Sequence, residues 1–399
     1  MSVPVLRTPV GAPFVEATWT RLAAGLLTGR EIRAMWTALA QRNLLLLGIV
    51  HQHHRDNADW RQAIDVTRAS RAGDPSGFAG FLALPATGSW LARAARSPAM
   101  SEPSDWLRFA LAMALLTSTD ADLTVPAGPA STLSLPGLGT ARPTEPGVFP
   151  RLHARTARDA ESGIRLSLPG SGVPLPHSWS PQARLTLSAG PRGPRTSVQL
   201  DTADAYALTA GLGTAAPVSS HWQRLLAQGW QRLARIAPAR ARVVGRVLHV
   251  AVPLPPTGTN GWSSASHADA AGLVALAPLD SPAATAAALV HETEHSLLAM
   301  ADSVHPLLAA TPGTLLPAPW SAVPRPPHAL LHGAAAFLVT AAYWRTERRA
   351  GNPAAADQEE HCLMLARTAA STLLASGCCL PPGRSVATAV RAAAHRWHH

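Results

Sequence analysis

Lysine is missing from this chain of 399 residues; all 34 basic positions are arginine. The bias matches GC-rich coding, as does the abundance of alanine and proline. The formal net charge of +10 is therefore weak testimony for a nucleic-acid partner. The arginines are scattered, with no basic block, no interleaved aromatics and no nucleic-acid-binding motif. They read as surface charge, and no nucleic-acid partner is expected; an acidic peptide would suit them better. Cysteine is scarce as well: Cys362, Cys378 and Cys379 are the only three. Vicinal cysteines rarely pair with each other and no C-x-x-C is present, so no disulfide framework is expected and a reducing cytoplasm is the expected compartment. Long apolar runs are lacking too. The longest, Leu44 to Val50, is far too short to span a bilayer, so no membrane partner is expected. No charged segment followed by an apolar run opens the chain, and no signal peptide is expected. No internal repeat is visible.

What is present is a composition 47% hydrophobic, enough to bury a large core. Residues 1–120 carry apolar positions at three- and four-residue spacing, broken at Thr28-Gly29, with Trp60, Phe78 to Leu84, Trp90 to Ala95 and Trp106 to Leu116 as core stripes. Residues 121–215 lose that period. Pro, Gly, Ser and Thr dominate, and short alternating runs (Ser131 to Leu135, Ile164 to Leu168, Ala183 to Leu187, Thr196 to Leu200) are separated by turns at 170–172 and 190–194. Residues 216–399 return to helix, with strands expected over Val243 to Val252 and Gly272 to Ala277. Helices follow over His328 to Arg349 and about Ala355 to Leu374, then a basic tail. The expected fold is α+β and predominantly α-helical: a helical N-terminal part, a small antiparallel β element and a helical metal-binding C-terminal part, not a cupin barrel.

His291-Glu292-Thr293-Glu294-His295 is the most informative stretch. It reads H-E-x-x-H inside an apolar, alanine-rich helix whose start is marked by Ser281 as N-cap and Pro282 as first helical residue. Residues four apart share a helix face, so both imidazoles can reach one metal ion, and Glu292 can reach a water or substrate on it. The commonest use of this motif is in zinc peptidases, with the glutamate as general base. A catalytic site needs a third protein ligand. The metzincin extension fails, because Leu298 and Ala301 stand where Gly and His are required. A thermolysin-like layout would use Glu347, but without the usual acidic and Asn surroundings. Asp302 and His305 follow closely, Asp302 as a partner that would orient a histidine. His332 is the strongest candidate, near the start of an apolar helix where a buried imidazole needs a partner. His51, His53 and His54, with Asp56 and Asp59, match no ligand spacing and read as a polar helix end; the terminal histidines read as a solvated tail.

Several separated blocks carry a resemblance: Arg21 to Gly25 running into Leu44 to Val50; Ser264 to Leu276; Leu289 to Leu298; and Ala318-Pro319-Trp320, Pro324-Arg325-Pro326, Leu330 to Gly333 and Tyr343-Trp344-Arg345. In these the chain resembles the H-E-x-x-H peptide-modification proteins of actinobacterial clusters for ribosomally made, post-translationally modified peptides. Residues 121–215 match only in character. The resemblance implies an Fe(II)/2-oxoglutarate oxygenase that uses O2 to hydroxylate a side-chain β-carbon of a precursor peptide. Iron would sit on His291, His295 and His332. Arg325 would pair bidentately with the distal carboxylate of 2-oxoglutarate, Trp320 would pack against the pocket, and Ser264 and Ser266 would line it. Glu292, not a ligand, would orient substrate or water. The chain departs from the family at Phe337, where a polar residue is common. A zinc metalloprotease and a non-catalytic peptide-binding relative are the competing readings.

Overall fold

The computed structural model describes residues 16–126, 132–141, 151–159, 163–167, 179–191, 193–201, 216–256 and 264–398. The first fifteen residues, the expected turn at 170–172 and most of the loop before Ser264 lie outside these.

The N-terminal part is built from α1 (Glu16–Ala23), α2 (Gly29–His54), α3 (Ala58–Gly73), α4 (Pro75–Leu82), α5 (Pro85–Arg96) and α6 (Asp105–Leu116). The break at Thr28-Gly29 is a capping box: Thr28 Oγ1 accepts from Glu31 N at 3.3 Å, and Glu31 Oε2 accepts from Thr28 N at 2.7 Å. Trp60, Trp90, Trp106 and Phe109 fill the core here, with Trp90 and Trp106 5.1 Å apart and Trp106 stacked on Phe109 at 5.2 Å. Buried indoles need acceptors. Trp106 Nε1 finds Thr67 Oγ1 at 3.2 Å, and Trp60 Nε1 finds His51 Nδ1 at 2.9 Å. Long α2 belongs to both cores. Ile32, Met35 and Leu39 enter the main one, whereas Leu47 and Val50 enter the aromatic one, so the two halves of the molecule share a rigid strut.

The β segments form small open sheets, and among the described residues none closes into a barrel. β1 (Ala121–Pro126), β4 (Arg151–Asp159) and β5 (Gly163–Ser167) pair antiparallel, as do β2 (Leu133–Leu135), β3 (Gly139–Ala141) and β6 (Trp179–Pro181). The hairpin of β7 (Arg184–Ser188) and β8 (Arg195–Leu200) departs from the expected self-contained antiparallel element. β8 pairs parallel with β9 (Val250–Pro253), which pairs parallel with β11 (Leu273–Leu276). The resulting sheet is mixed, ordered β10-β11-β9-β8-β7, with β10 (Ser264–Ala265) antiparallel at one edge. β9 and β11 are buried at every position, the pattern of parallel strands covered on both faces.

The C-terminal helices are α7 (Ser220–Ile236), α8 (Pro238–Val247), α9 (Pro282–Val304), α10 (Pro327–Arg349), α11 (Ala355–Ala375) and α12 (Pro381–His398), with a hairpin of β12 (Leu316–Ala318) and β13 (Ser321–Arg325) before α10. The H-E-x-x-H helix, α9, packs on α2, α7 and α10 and is buried along most of its length. The class is predominantly α-helical α+β, as expected. Among the described residues no helix is long and apolar enough to cross a membrane.

Two expected elements differ. Residues 243–247, read as strand, end α8. Val243, Val244 and Val247 form one buried helical face, and Gly245 admits the Trp230 ring, so packing overrides the β preference of valine. The expected basic tail is α12, whose Val386, Ala387, Val390 and Ala394 recur at helical spacing and enter the main core. Trp397 near its end lies under Arg345, 5.0 Å from the ring centre.

One buried group makes stability pH-dependent. Glu294 on α9 is almost fully buried, its Oε1 has no hydrogen-bond partner among the described residues, and burial pushes its carboxyl up to about 8 against the pull of Arg240. The folded chain therefore keeps a proton there that the unfolded chain releases above its ordinary value, so the contribution of Glu294 to stability falls as pH rises from about 4.5 to about 8. Glu294→Gln has no proton to lose. Its advantage in melting temperature over wild type should grow between pH 5 and pH 8; a constant difference across that range would disprove the assignment.

Candidate metal and substrate cleft

α9 begins where Ser281 Oγ accepts from Ala284 N at 3.1 Å, with Pro282 at the first position. This start sets the helix phase, and the phase puts His291 and His295 on one face. Their Nε2 atoms stand 3.1 Å apart. Two nitrogens bound to one ion at about 2.1 Å, at about 90–109°, would lie about 3.0–3.4 Å apart. The pair thus already has the spacing of two neighbouring ligands.

α10 supplies the facing wall. The His332 ring lies nearly parallel to that of His295, centroids 5.8 Å apart. Phe337 meets His291 edge-on at 5.0 Å, and Trp320, in the β12–β13 turn, packs against Phe337 at 5.3 Å. Trp320 can come this close because residue 333 is glycine; a Cβ there would collide with the indole. His332 therefore has a neighbour without a side chain for a steric reason. Among the described residues, no set of three or more His, Cys, Asp or Glu side chains is arranged to hold a metal ion. The fold preforms a pair, with His332 as an adjacent ring.

Burial lowers the protonation range of all three imidazoles, and repulsion from a neighbouring imidazolium adds to it for His291 and His332: His291 falls to about 4 and His332 to about 3. All are neutral near pH 7, the form that binds metals.

Glu292 is buried, and each of its oxygens accepts a hydroxyl: Oε1 from Ser264 at 2.7 Å and Oε2 from Ser266 at 2.6 Å. Ser264 and Ser266 do line the site, and their hydroxyls are committed to this carboxylate, tying the sheet edge to the motif helix. Arg325, at the end of β13, reaches the same cleft half-buried and makes no salt bridge among the described residues. The cleft holding these side chains has a volume of about 1540 Å³.

The chain matches no protein-family model. No curated protein matches it.

Of the rival ligands, Asp302 lines the same cleft, whereas His305 and Glu347 do not. Asp302 Oδ1 accepts from Leu307 N at 2.8 Å and so shapes the exit from α9. His305 ends that helix, edge-on to Trp19 at 5.8 Å. Glu347 is fully buried among Arg232 (2.8 and 2.5 Å), Tyr343 (2.5 Å) and Asn352 (3.1 Å). Burial alone would raise its carboxyl, yet these donors hold it below the usual range. In the N-terminal histidine cluster, His51 accepts from Trp60, His54 bonds Ser101 Oγ at 2.9 Å, and Asp59 pairs with Arg151 at 3.0 Å.

Two features of the cleft escaped sequence reasoning. Thr340 Oγ1 lies 3.3 Å from His291 Nδ1; a threonine inside a helix gives no signal by itself. Asp269 holds the loop after β10 against the N-terminal helices, through Arg42 at 2.9 Å and Arg96 at 2.8 Å, and its carbonyl packs on Gly88. Its partners are 227 and 173 residues away in sequence, beyond any local pattern.

Gly333→Ala should destabilise by about 1–3 kcal/mol through overpacking against Trp320. In a Trp320→Ala background the same change should be close to neutral. Equal costs in both backgrounds, measured by denaturant unfolding, would rule out the Trp320 contact as the cause.

Proposed function

We propose that this protein is an Fe(II)/2-oxoglutarate-dependent oxygenase that hydroxylates a side-chain β-carbon of a ribosomally made precursor peptide. The observation that carries most weight is the content of one cleft: two neutral imidazole nitrogens at ligand spacing, a third imidazole beside them, and an arginine without a carboxylate partner among the described residues. His291, His295 and His332 would hold iron, with His332 adjusting to join the pair. Arg325 would bind the distal carboxylate of 2-oxoglutarate, for which a planar guanidinium is suited. Trp320, packed against Gly333, would wall that side. Bound iron and co-substrate supply the oxidising power: O2 and 2-oxoglutarate become succinate and CO2 as one oxygen atom enters a C–H bond.

Two further features suit a peptide substrate. The cleft volume, about 1540 Å³, exceeds the roughly 300–1,000 Å³ of sites for small ligands. Strand β10 is a sheet edge beside the imidazole pair, a place where an extended chain can add as a further strand. The resemblance in the blocks around Ser264, His291, Arg325 and His332 leads to the same substrate class.

The zinc-peptidase alternative rests on the motif and on Glu292 lying in the cleft. It would need Glu292 to act as a base on a metal-bound water, and both of its oxygens already accept serine hydroxyls.

Protein loaded anaerobically with Fe(II) should convert 2-oxoglutarate to succinate, and a cognate precursor peptide should gain the mass of one oxygen atom. Peptide shortened by a zinc-loaded protein would sink the oxygenase reading. His295→Ala should abolish both activity and metal uptake. His332→Ala should lose metal, whereas Asp302→Ala should keep it and only lower the melting temperature. Arg325→Ala should raise the KM for 2-oxoglutarate about 10- to 100-fold, the loss expected for hydrogen bonds to a charged group; an unchanged KM would place the carboxylate elsewhere.

A further inference from the structure

Thr340 lies on α10, buried against the motif helix, and its hydroxyl makes two contacts. The shorter, 2.7 Å, is to the carbonyl of Ala336 one turn back; the other, 3.3 Å, is to His291 Nδ1. A hydroxyl has one hydrogen and two lone pairs. A carbonyl oxygen cannot donate, so the hydrogen lies toward Ala336, and toward His291 the hydroxyl oxygen can only accept. His291 Nδ1 must then carry a hydrogen, which in a neutral ring leaves a lone pair on Nε2. That Nε2 is the atom 3.1 Å from His295 Nε2, on the cleft side.

We propose that Thr340 is a positioning residue: by accepting from Nδ1 it holds His291 in the one neutral tautomer whose Nε2 can bind a metal. Hydrogen bonds to the far nitrogen of a ligand imidazole fix both its tautomer and its ring orientation. A carboxylate or a backbone carbonyl is the usual acceptor; here a threonine serves, its own hydrogen spent on the helix backbone. The chain of donors runs in one direction, from His295 Nε2 to His291 Nε2, then from His291 Nδ1 to Thr340, then to the Ala336 carbonyl.

The direction has a second consequence. Without metal, the His295–His291 contact needs a hydrogen on His295 Nε2, because His291 Nε2 has none. Coordination by both rings requires that hydrogen to leave. Loading the site therefore changes the tautomer of His295 and leaves that of His291 unaltered. The metal part of this inference rests on the function proposed above; the tautomer part does not.

The test uses full-length protein with 15N-labelled histidine. Imidazole nitrogen spectra of metal-free protein, with the His291 signals identified through His291→Gln, should show hydrogen on Nδ1 of His291. Thr340→Val, which keeps the shape, should depopulate that tautomer and weaken Zn(II) binding about 10- to 100-fold. Thr340→Ser, which restores the hydroxyl, should recover both. A role in packing alone would lower the melting temperature of Thr340→Val without moving the tautomer, and would overturn the proposal. Hydrogen on Nε2 of His291 in the wild type would overturn it directly. If wild-type protein takes up neither Zn(II) nor Fe(II), the iron reading fails, and the metal-free spectra still decide the role of Thr340.

Discussion

Half-burying three imidazoles where α9 faces α10 along the cleft is the constraint on which the site depends. An imidazolium is costly in such surroundings, so the protonation range of His295 is lowered and those of His291 and His332 fall to about 4 and about 3. Neutral imidazole still needs partners for its nitrogens, and the seam between α9 and α10 offers few. His291 uses Thr340 on one side and His295 on the other. A metal would meet the same demand more strongly, taking the His291 Nε2 lone pair and, once its hydrogen has left, that of His295 Nε2 as well. Burial thus selects the ligand form of the side chains before any ligand is present.

The other charges near the cleft are arranged so that acids are satisfied locally. Glu292 has two serine hydroxyls, Asp269 has Arg42 and Arg96, Glu347 has Arg232, Tyr343 and Asn352, and Glu359 has Arg345 and Arg348. These links do mechanical work. Glu292 joins the sheet edge to α9, Asp269 joins the loop after β10 to α2 and α5, and Glu347 joins α10 to α7. Removing one member would leave a buried charge alone, which is costlier than the pair is stabilising. Arg325 stands out as a cleft cation that makes no salt bridge among the described residues.

Much of the architecture was readable along the chain. The helical stripes around Trp60, Trp90 and Trp106, the break at Thr28-Gly29, the start at Ser281-Pro282 and the short strands after residue 121 all follow from local rules of period, capping and turn chemistry. The misreadings at Val243 to Val247 and at α12 have one cause. A valine run and an Arg- and His-rich tail look respectively like strand and solvent when taken alone. Each is a helix because one face meets a core built from distant segments.

The same division holds for the site. The sequence by itself determined the pairing of His291 with His295, because four residues make one turn of a helix and the flanks leave no doubt about the helix. It also singled out His332, whose apolar neighbours imply a buried ring. Only the tertiary structure decided what each side chain touches: that Ser264 and Ser266 spend their hydroxyls on Glu292, that Glu347 is held by Arg232, Tyr343 and Asn352, that Asp302 accepts from Leu307 N, that Gly333 makes room for Trp320, and that Thr340 faces His291. Helical spacing is a property of neighbours in the chain, whereas hydrogen-bond partners across the seam depend on how two helices far apart in sequence are set against each other.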